Sequence, residues 1–251
     1  MELSFKDKTV VVTGAAGGFG SSIARTFAAA GAHLVVSDID TDGAGKLAAA
    51  LPSAIAVTTD VTDPDAVRDL VDAAELAYGG IDVMVNNAGV PHRKGALVDL
   101  DVGTVDWQLA VNIRSVFLGC KYAVPALRRR GGGVIVNIAS VAAKRPRPGL
   151  TVYNATKGAV ITMTRGLAGE VAPDIRVNAV NPVVSETGFV KSLTGSDVLP
   201  GDLRKDWVSG IPMARTASPQ DVANSTLYLA SDQAGFLTGV CLDVDGGRSI
   251  Q

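Results

Sequence analysis

Short runs of apolar, largely β-branched residues recur along the chain, each followed by a glycine or polar turn and then by a stretch with helical spacing of its apolar positions. This alternation predicts strands over Thr9–Thr13, His33–Ser37, Ala54–Thr58, Ile81–Val85, Val134–Ile138, Arg176–Val180 and Val240–Val244. Between them it predicts helices over Gly20–Ala30, Asp42–Ala50, Asp63–Tyr78, Val105–Arg129, Thr151–Val171 and Pro219–Leu229. Asp63-Pro64 is an N-cap followed by a proline at the first helical position. Several strands are apolar at nearly every position, as parallel strands covered on both faces must be. The pattern predicts one α/β domain over 1–251, a doubly wound parallel sheet of seven strands with helices on both faces. One stretch, 185–211, breaks the alternation with Gly188, Gly195, Pro200, Gly201 and Gly210 and reads as a lid insertion over a ligand.

Composition narrows the function. The 251 residues are 47% hydrophobic and 19% charged, which excludes global disorder. Lys+Arg 23 against Asp+Glu 25 leaves a net charge of −2, with no electrostatic case for nucleic acid. Two cysteines, Cys120 and Cys241, show no C-x-x-C spacing and read as small hydrophobes in a reducing compartment. With only His33 and His92 as histidines, no zinc or iron motif can be assembled, and no metal is expected. The segment Met1–Lys8 carries charges where a signal peptide needs an apolar run, and no run of about eighteen apolar residues occurs. The expectation is a cytoplasmic protein with no membrane partner.

After the first predicted strand comes Thr13-Gly14-Ala15-Ala16-Gly17-Gly18-Phe19-Gly20, with a helix following. A strand turning directly into a helix aims unpaired N–H groups and the positive helix end at one point, and glycines let a pyrophosphate approach that backbone. Asp38, at the end of the second strand, is placed to accept hydrogen bonds from adenosine ribose hydroxyls and to repel a 2′-phosphate. Nothing basic stands at Ala15, Ala16 or Ile39, so NAD is favoured over NADP. The competing reading has Asp38 capping the Asp-rich turn before the next helix.

Tyr153 and Lys157 stand four apart in a predicted helix and project from one face. A phenol with reference pKa about 10 is a poor base near neutrality. An ammonium about 4 Å away, at an effective dielectric of about 20, supplies on the order of 4 kcal/mol toward the phenolate. Ser140 ends the strand Val134–Ile138 region at the carboxyl edge, where open α/β sheets bind ligands, and its hydroxyl is placed to bond a substrate oxygen.

Together these residues resemble the short-chain dehydrogenase/reductase family over essentially the whole chain. The T-G-x-x-x-G-x-G pattern is met by Thr13, Gly14, Gly18 and Gly20, N-N-A-G by Asn86-Asn87-Ala88-Gly89, and the adenine-contacting Asp-Val pair by Asp60-Val61. The Asn-Ser-Tyr-Lys set is met by Asn112, Ser140, Tyr153 and Lys157. The resemblance implies a Rossmann-type fold and cofactor contacts at Gly14, Gly18, Phe19, Gly20, Asp38, Asp60, Val61, Asn87, Gly89, Tyr153, Lys157 and Thr187. It implies that Tyr153 is the general acid/base, Ser140 polarises the substrate oxygen, Lys157 lowers the tyrosine pKa and holds the nicotinamide ribose, and Asn112 carries a water. The sequence departs from the family's Pro-Gly after the sixth strand, since Val183 follows Pro182.

The resemblance implies an NAD-dependent oxidoreductase acting on a small-molecule secondary alcohol or ketone, with 3-oxoacyl-carrier-protein reductases and sugar 1-dehydrogenases as the similar activities. It also implies a homotetramer packed through the C-terminal run Phe236–Gly247. A second reading, a non-catalytic dinucleotide sensor on the same fold, has no use for Ser140, Tyr153 and Lys157 together. A serine hydrolase fails for want of a G-x-S-x-G elbow. The basic residues His92-Arg93-Lys94, Lys144-Arg145 and Arg147 either attract an anionic substrate or form a solvated loop rim, and the rim is the favoured reading. Trp107 and Trp207 are open to core, interface or lid roles.

Overall fold

The strands are β1 (Thr9–Thr13), β2 (His33–Asp38), β3 (Ala54–Thr58), β4 (Val83–Asn86), β5 (Gly133–Ile138), β6 (Ile175–Pro182) and β7 (Cys241–Val244). All pair in parallel in the order β3-β2-β1-β4-β5-β6-β7, in a computed structural model that describes residues 3–186, 190 and 201–250. The order reverses between β1 and β4, and the crevice beyond their carboxyl ends is where such sheets take ligands.

Alternation within each strand divides the core. Val10, Val12, Leu34, Val36, Val83, Val85 and Val136 face α1 (Gly18–Ala29), α2 (Thr41–Ala49) and the last long helix, Pro219–Ala230, burying Ile23, Phe27, Leu47 and Val222. Their neighbours Val11, Val35, Met84, Ile135 and Val177 face the other way, against Leu70, Leu127 and Val160 of α3 (Pro64–Tyr78), α5 (Ser115–Arg130) and α6 (Thr151–Val171). Both faces of the sheet are therefore covered, which explains the near-continuous apolar strands. Asp63 caps α3 by accepting from the Asp65 N–H.

Most predicted ranges agree with the observed elements to within one or two residues. The largest difference is the predicted helix Val105–Arg129. It is α4 (Val102–Leu109), then a π turn over Ala110–Arg114, then α5. Single-turn π insertions recur at functional positions, and this one contains Asn112. Strand β6 runs past its predicted end because Asn181 and Pro182 still pair with Asp243 and Val244. Within the predicted lid, α7 (Gly201–Ser209) is described, followed by α8 (Pro219–Ala230). Among the described residues no helix is long and apolar enough to cross a membrane.

Candidate active site

The glycine turn is locked to the strand beside it. Asn87 donates its amide Nδ2 to the carbonyls of Thr13 and Gly14, both at 2.9 Å, while the Asn87 and Ala88 N–H groups donate to Thr13 Oγ1 at 3.1 and 3.2 Å. Gly14 has φ +63°, and a Cβ there would lie 2.8 Å from Ala88 Cα. Gly20 is equally constrained, since a side chain would meet the Gly14 carbonyl oxygen. The two motifs thus form one backbone platform, and α1 begins above it with no acidic residue in its first turn.

Asp38 closes the platform. Its Oδ2 accepts from the Ala16 N–H at 2.8 Å and its Oδ1 from the Asp40 N–H at 3.0 Å. The helix cap itself is Asp40, which accepts from Gly43, so Asp38 is not the cap of α2. A cleft of about 1360 Å³ is lined by Gly14, Gly17, Gly18, Phe19, Asp38, Asp60, Val61, Asn87 and Gly89 among others. Asp60 also accepts from the N–H and hydroxyl of Thr62, each at 2.8 Å, which fixes its loop. Thr187 lies outside the described residues.

A second cleft, of about 760 Å³, shares Phe19, Asn87 and Gly89 with the first and is also lined by Ser140, Tyr153 and Lys157. Ser140 follows β5 and starts the single turn Val141–Ala143, its Oγ accepting from the Ala142 N–H at 3.1 Å. The first two turns of α6 present Tyr153 and Lys157, both buried. Tyr153 is hydrogen-bonded to Ser140. Lys157 Nζ donates to the Ile138 carbonyl at 2.8 Å and lies 6.0 Å from the centre of the Tyr153 ring.

The electrostatics differ from the expectation that Lys157 makes the phenol acidic. Burial pushes Tyr153 up to about 12, opposed by the Ser140 hydrogen bond and the charge of Arg147. Burial pulls Lys157 down to about 8. The ammonium is engaged by a strand carbonyl, and desolvation of the ring outweighs the charges near it. Asn112 is fully buried, its Oδ1 accepting from the Val90 N–H at 2.8 Å and its Nδ2 donating to the Val90 carbonyl at 2.8 Å and to Thr156 Oγ1 at 3.1 Å. Gly89 separates Asn112 from Lys157, for a Cβ there would lie 3.1 Å from Lys157 Nζ and 3.4 Å from Asn112 Oδ1.

The basic loops divide. Arg93 and Lys94 are exposed, Lys144 pairs with Asp243 and Arg145 donates to the Arg248 carbonyl. Arg147, expected on a solvated rim, instead lines the catalytic cleft with its guanidinium over the Trp207 ring. His92 is buried rather than solvated, with Nδ1 2.7 Å from the Arg93 carbonyl oxygen. Sequence reasoning missed Thr156, which accepts from Asn112, and Gln108, which donates to the same Val90 carbonyl as Asn112 at 3.2 Å; the i, i+4 spacing of Gln108 and Asn112 was the available signal. Among the described residues no group of His, Cys, Asp or Glu is arranged to hold a metal.

Residues 14–249 match a family model described as enoyl-(acyl carrier protein) reductase. The 4-formylbenzenesulfonate dehydrogenase of Comamonas testosteroni is 41% identical, over 99% of this chain and 100% of its own. The chain belongs to the short-chain dehydrogenase/reductase family. Cis-4-hydroxycyclohexanecarboxylate dehydrogenase of Sinomonas cyclohexanicum is another relative, 38% identical over 97% of each chain. The solved 3-ketoacyl-(acyl-carrier-protein) reductase of Brucella melitensis, complexed with NADH, superposes with a TM-score of 0.92 at 40% identity, covering 98% of this chain and 100% of that one. As a short-chain dehydrogenase/reductase the protein is an oxidoreductase of CH–OH groups. Its Val183 stands where the family has glycine, and the side chain is buried with Val141, Ile211 and Ala217, joining the residue after Ser140 to the far end of the lid segment.

Proposed function

We propose that the protein transfers a hydride between NAD(H) and a small secondary alcohol or ketone, with Tyr153 moving the accompanying proton. One observation carries the reading: the glycine-turn cleft and the Ser140–Tyr153 cleft meet at Phe19, Asn87 and Gly89. The donor set fits a dinucleotide, since side-chain-free positions Gly17 and Gly18 face the larger cleft beside the start of α1, and the Asp38 carboxylate stands at its edge. Gly14, Gly18, Phe19 and Gly20 would hold the pyrophosphate side, Asp38 the adenosine ribose, Asp60 and Val61 the adenine, and Asn87, Gly89, Tyr153, Lys157 and Thr187 the nicotinamide half. When bound, the nicotinamide gives or takes the hydride.

The chain's own residues do the rest. Ser140 bonds the substrate oxygen and fixes it against Tyr153, whose phenol gives its proton to the forming alkoxide in reduction and whose phenolate takes the alcohol proton in oxidation. Lys157 binds ribose and restores charge balance near the phenol, and Asn112, through Val90 and Thr156, keeps that helix face in place and carries a water to Lys157. The relatives acting on ring compounds favour a compact substrate, and the carrier-protein reductase of similar structure favours a 3-oxoacyl thioester as the second reading. We further propose a cytoplasmic protein and a homotetramer, the assembly supported by the fully exposed Phe236 five residues before the start of β7 and the half-exposed Phe117 on α5.

The test is a spectrophotometric screen of NAD⁺ reduction across ring alcohols, sugars and 3-hydroxyacyl thioesters. Turnover with a secondary alcohol that is lost in Tyr153→Phe supports the proposal. Tight NADH binding with no turnover on any of these classes turns it to the dinucleotide sensor. Light scattering at micromolar concentration decides the tetramer.

A further inference from the structure

Ser140 stands where two apolar clusters part. The next residue, Val141, packs with Val183, Ile211 and Ala217, whereas Ala142, one position further on, packs with Leu150 and Tyr153. Val184 adds to the first cluster and Trp207 to the second. Among the described residues these clusters are separate, and both border the catalytic cleft: Val141, Val183 and Val184 from one, Ala142, Leu150, Tyr153 and Trp207 from the other. The space between them is therefore an apolar slot, with the Ser140 hydroxyl and the Tyr153 phenol at its head.

One stretch of chain contributes to both walls. Trp207 lies on α7, and Ile211 follows the end of that helix, its N–H donating to the Val208 carbonyl at 2.9 Å. The protein itself buries Ala142, Leu150 and Tyr153, but it covers Trp207 only in part. Apolar surface left facing a cleft is stabilised when a ligand takes it out of water, and an indole offers more of it than any other side chain. This indole is braced in place, with the guanidinium carbon of Arg147 5.5 Å from its ring centre.

We infer that Trp207 is a specificity-determining residue, and that the slot takes a ketone or secondary alcohol whose reacting carbon belongs to an apolar six-membered ring. The oxygen meets Ser140 and Tyr153, and the ring methylenes lie against Trp207 on one side and Val184 on the other. The inference rests on the proposed function in taking this cleft as the substrate side. A ring touches both walls of a slot at once and has few torsions to freeze, whereas an open chain of the same carbon number makes fewer contacts and loses more freedom on binding.

The experiment measures kcat/KM for reduction of cyclohexanone, 2-hexanone and acetone with NADH in wild type, Trp207→Ala, Trp207→Leu and Trp207→Phe. Cyclohexanone and 2-hexanone have equal carbon numbers, and acetone lacks the ring methylenes. Intrinsic reactivity, and any effect of the substitution on Tyr153, cancel when the ratio of two ketones is compared between proteins. Trp207→Ala is expected to lower the cyclohexanone-to-acetone ratio about tenfold or more and the cyclohexanone-to-2-hexanone ratio about threefold or more. Trp207→Leu, the variant to read if the alanine protein does not fold, is expected to lower the first ratio about threefold or more, and Trp207→Phe to keep most of it. Ratios equal to those of wild type overturn the assignment of Trp207. Equal losses for cyclohexanone and 2-hexanone overturn the ring.

Calorimetric titration with N-cyclohexylformamide, a carbonyl compound that NADH does not reduce, separates the two levels. If no ketone is reduced but the formamide binds wild type and binds Trp207→Ala or Trp207→Leu several-fold more weakly, the redox reading fails and the apolar slot stands. If the ketones are reduced with unchanged ratios in the variants, the slot fails and the redox reading stands. If no ketone is reduced and the formamide fails to bind or binds all the proteins equally, both fail.

Discussion

The Lys157 ammonium donates to the carbonyl of Ile138 at 2.8 Å, tying the catalytic helix to the strand that delivers Ser140. This bond does not repay the desolvation of the cation, whose pKa is pulled from 10.5 to about 8 by burial. Between those values the unfolded chain keeps the proton and the folded protein has released it, so stability rises with pH across that window and the cost is undiminished below it. The cost is about 3 kcal/mol, offset by about 1 kcal/mol for the carbonyl bond. Lys157→Met should therefore melt a few degrees higher than wild type near neutral pH, with the difference shrinking as pH approaches about 10. Thermal melts across that range check it, and a pH-independent difference would remove burial as its cause.

Tyr153 carries the opposite shift, up to about 12, so at neutral pH the phenol is protonated and ready to donate. Ketone reduction should be nearly flat across neutral pH, while alcohol oxidation should climb steadily from about pH 7 to about pH 10. Tyr153→Phe should lower turnover about a thousandfold in both directions with NADH affinity nearly intact. Because the Arg147 charge lowers the phenol's pKa, Arg147→Gln should move the oxidation profile to higher pH. An acid shift would show that the guanidinium does not act on Tyr153 through its charge.

The sheet was legible because its parallel strands are buried on both faces: in Val10-Val11-Val12 each residue packs away from its neighbours, yet all three are apolar. Tyr153, Lys157, Ser140 and the glycine platform were legible because each needs one residue type at fixed spacing. The π turn at Asn112 was not, since its sequence Ala110–Arg114 has unbroken helical character and only the tertiary bonds to Val90 and Thr156 mark it. The pKa values were out of reach for a similar reason, being set by burial rather than by the i, i+4 spacing of two side chains. Arg147 was misread because a loop cation faces solvent by default, and only the fold shows Trp207 arriving from a segment sixty residues on.

Gly89 offers a test of the site's packing without touching a reacting group. A methyl there would press on Lys157 Nζ and Asn112 Oδ1 at 3.1 and 3.4 Å, contacts that must relax by displacing one of them. Gly89→Ala should lower kcat/KM about tenfold or more. Global stability should fall by no more than about 1 kcal/mol, since φ at Gly89 is not in the left-handed region and the crowded atoms end flexible side chains. Denaturant unfolding beside steady-state kinetics checks the split, and a large stability loss with unchanged kcat/KM would place the role of Gly89 in the fold.

Asp38 holds two backbone N–H groups, one from each side of the cofactor cleft's edge, and this decides which substitution is informative. Asp38→Ala frees both donors and loosens the glycine turn at Ala16, so lost affinity would mix geometry with charge. Asp38→Asn keeps one acceptor oxygen, which serves the Ala16 N–H, gives up the acceptor that holds the Asp40 N–H, and removes the charge that opposes a 2′-phosphate. At a separation of about 5 Å and an effective dielectric near 20 that repulsion amounts to roughly 3 kcal/mol, of which exposure to water leaves about 1–2 kcal/mol. The ratio of NADPH to NADH dissociation constants, followed by nicotinamide fluorescence, should fall about tenfold in Asp38→Asn while NADH itself weakens only a few-fold. Wild-type protein that binds NADPH more tightly than NADH would break the link between this carboxylate and cofactor choice.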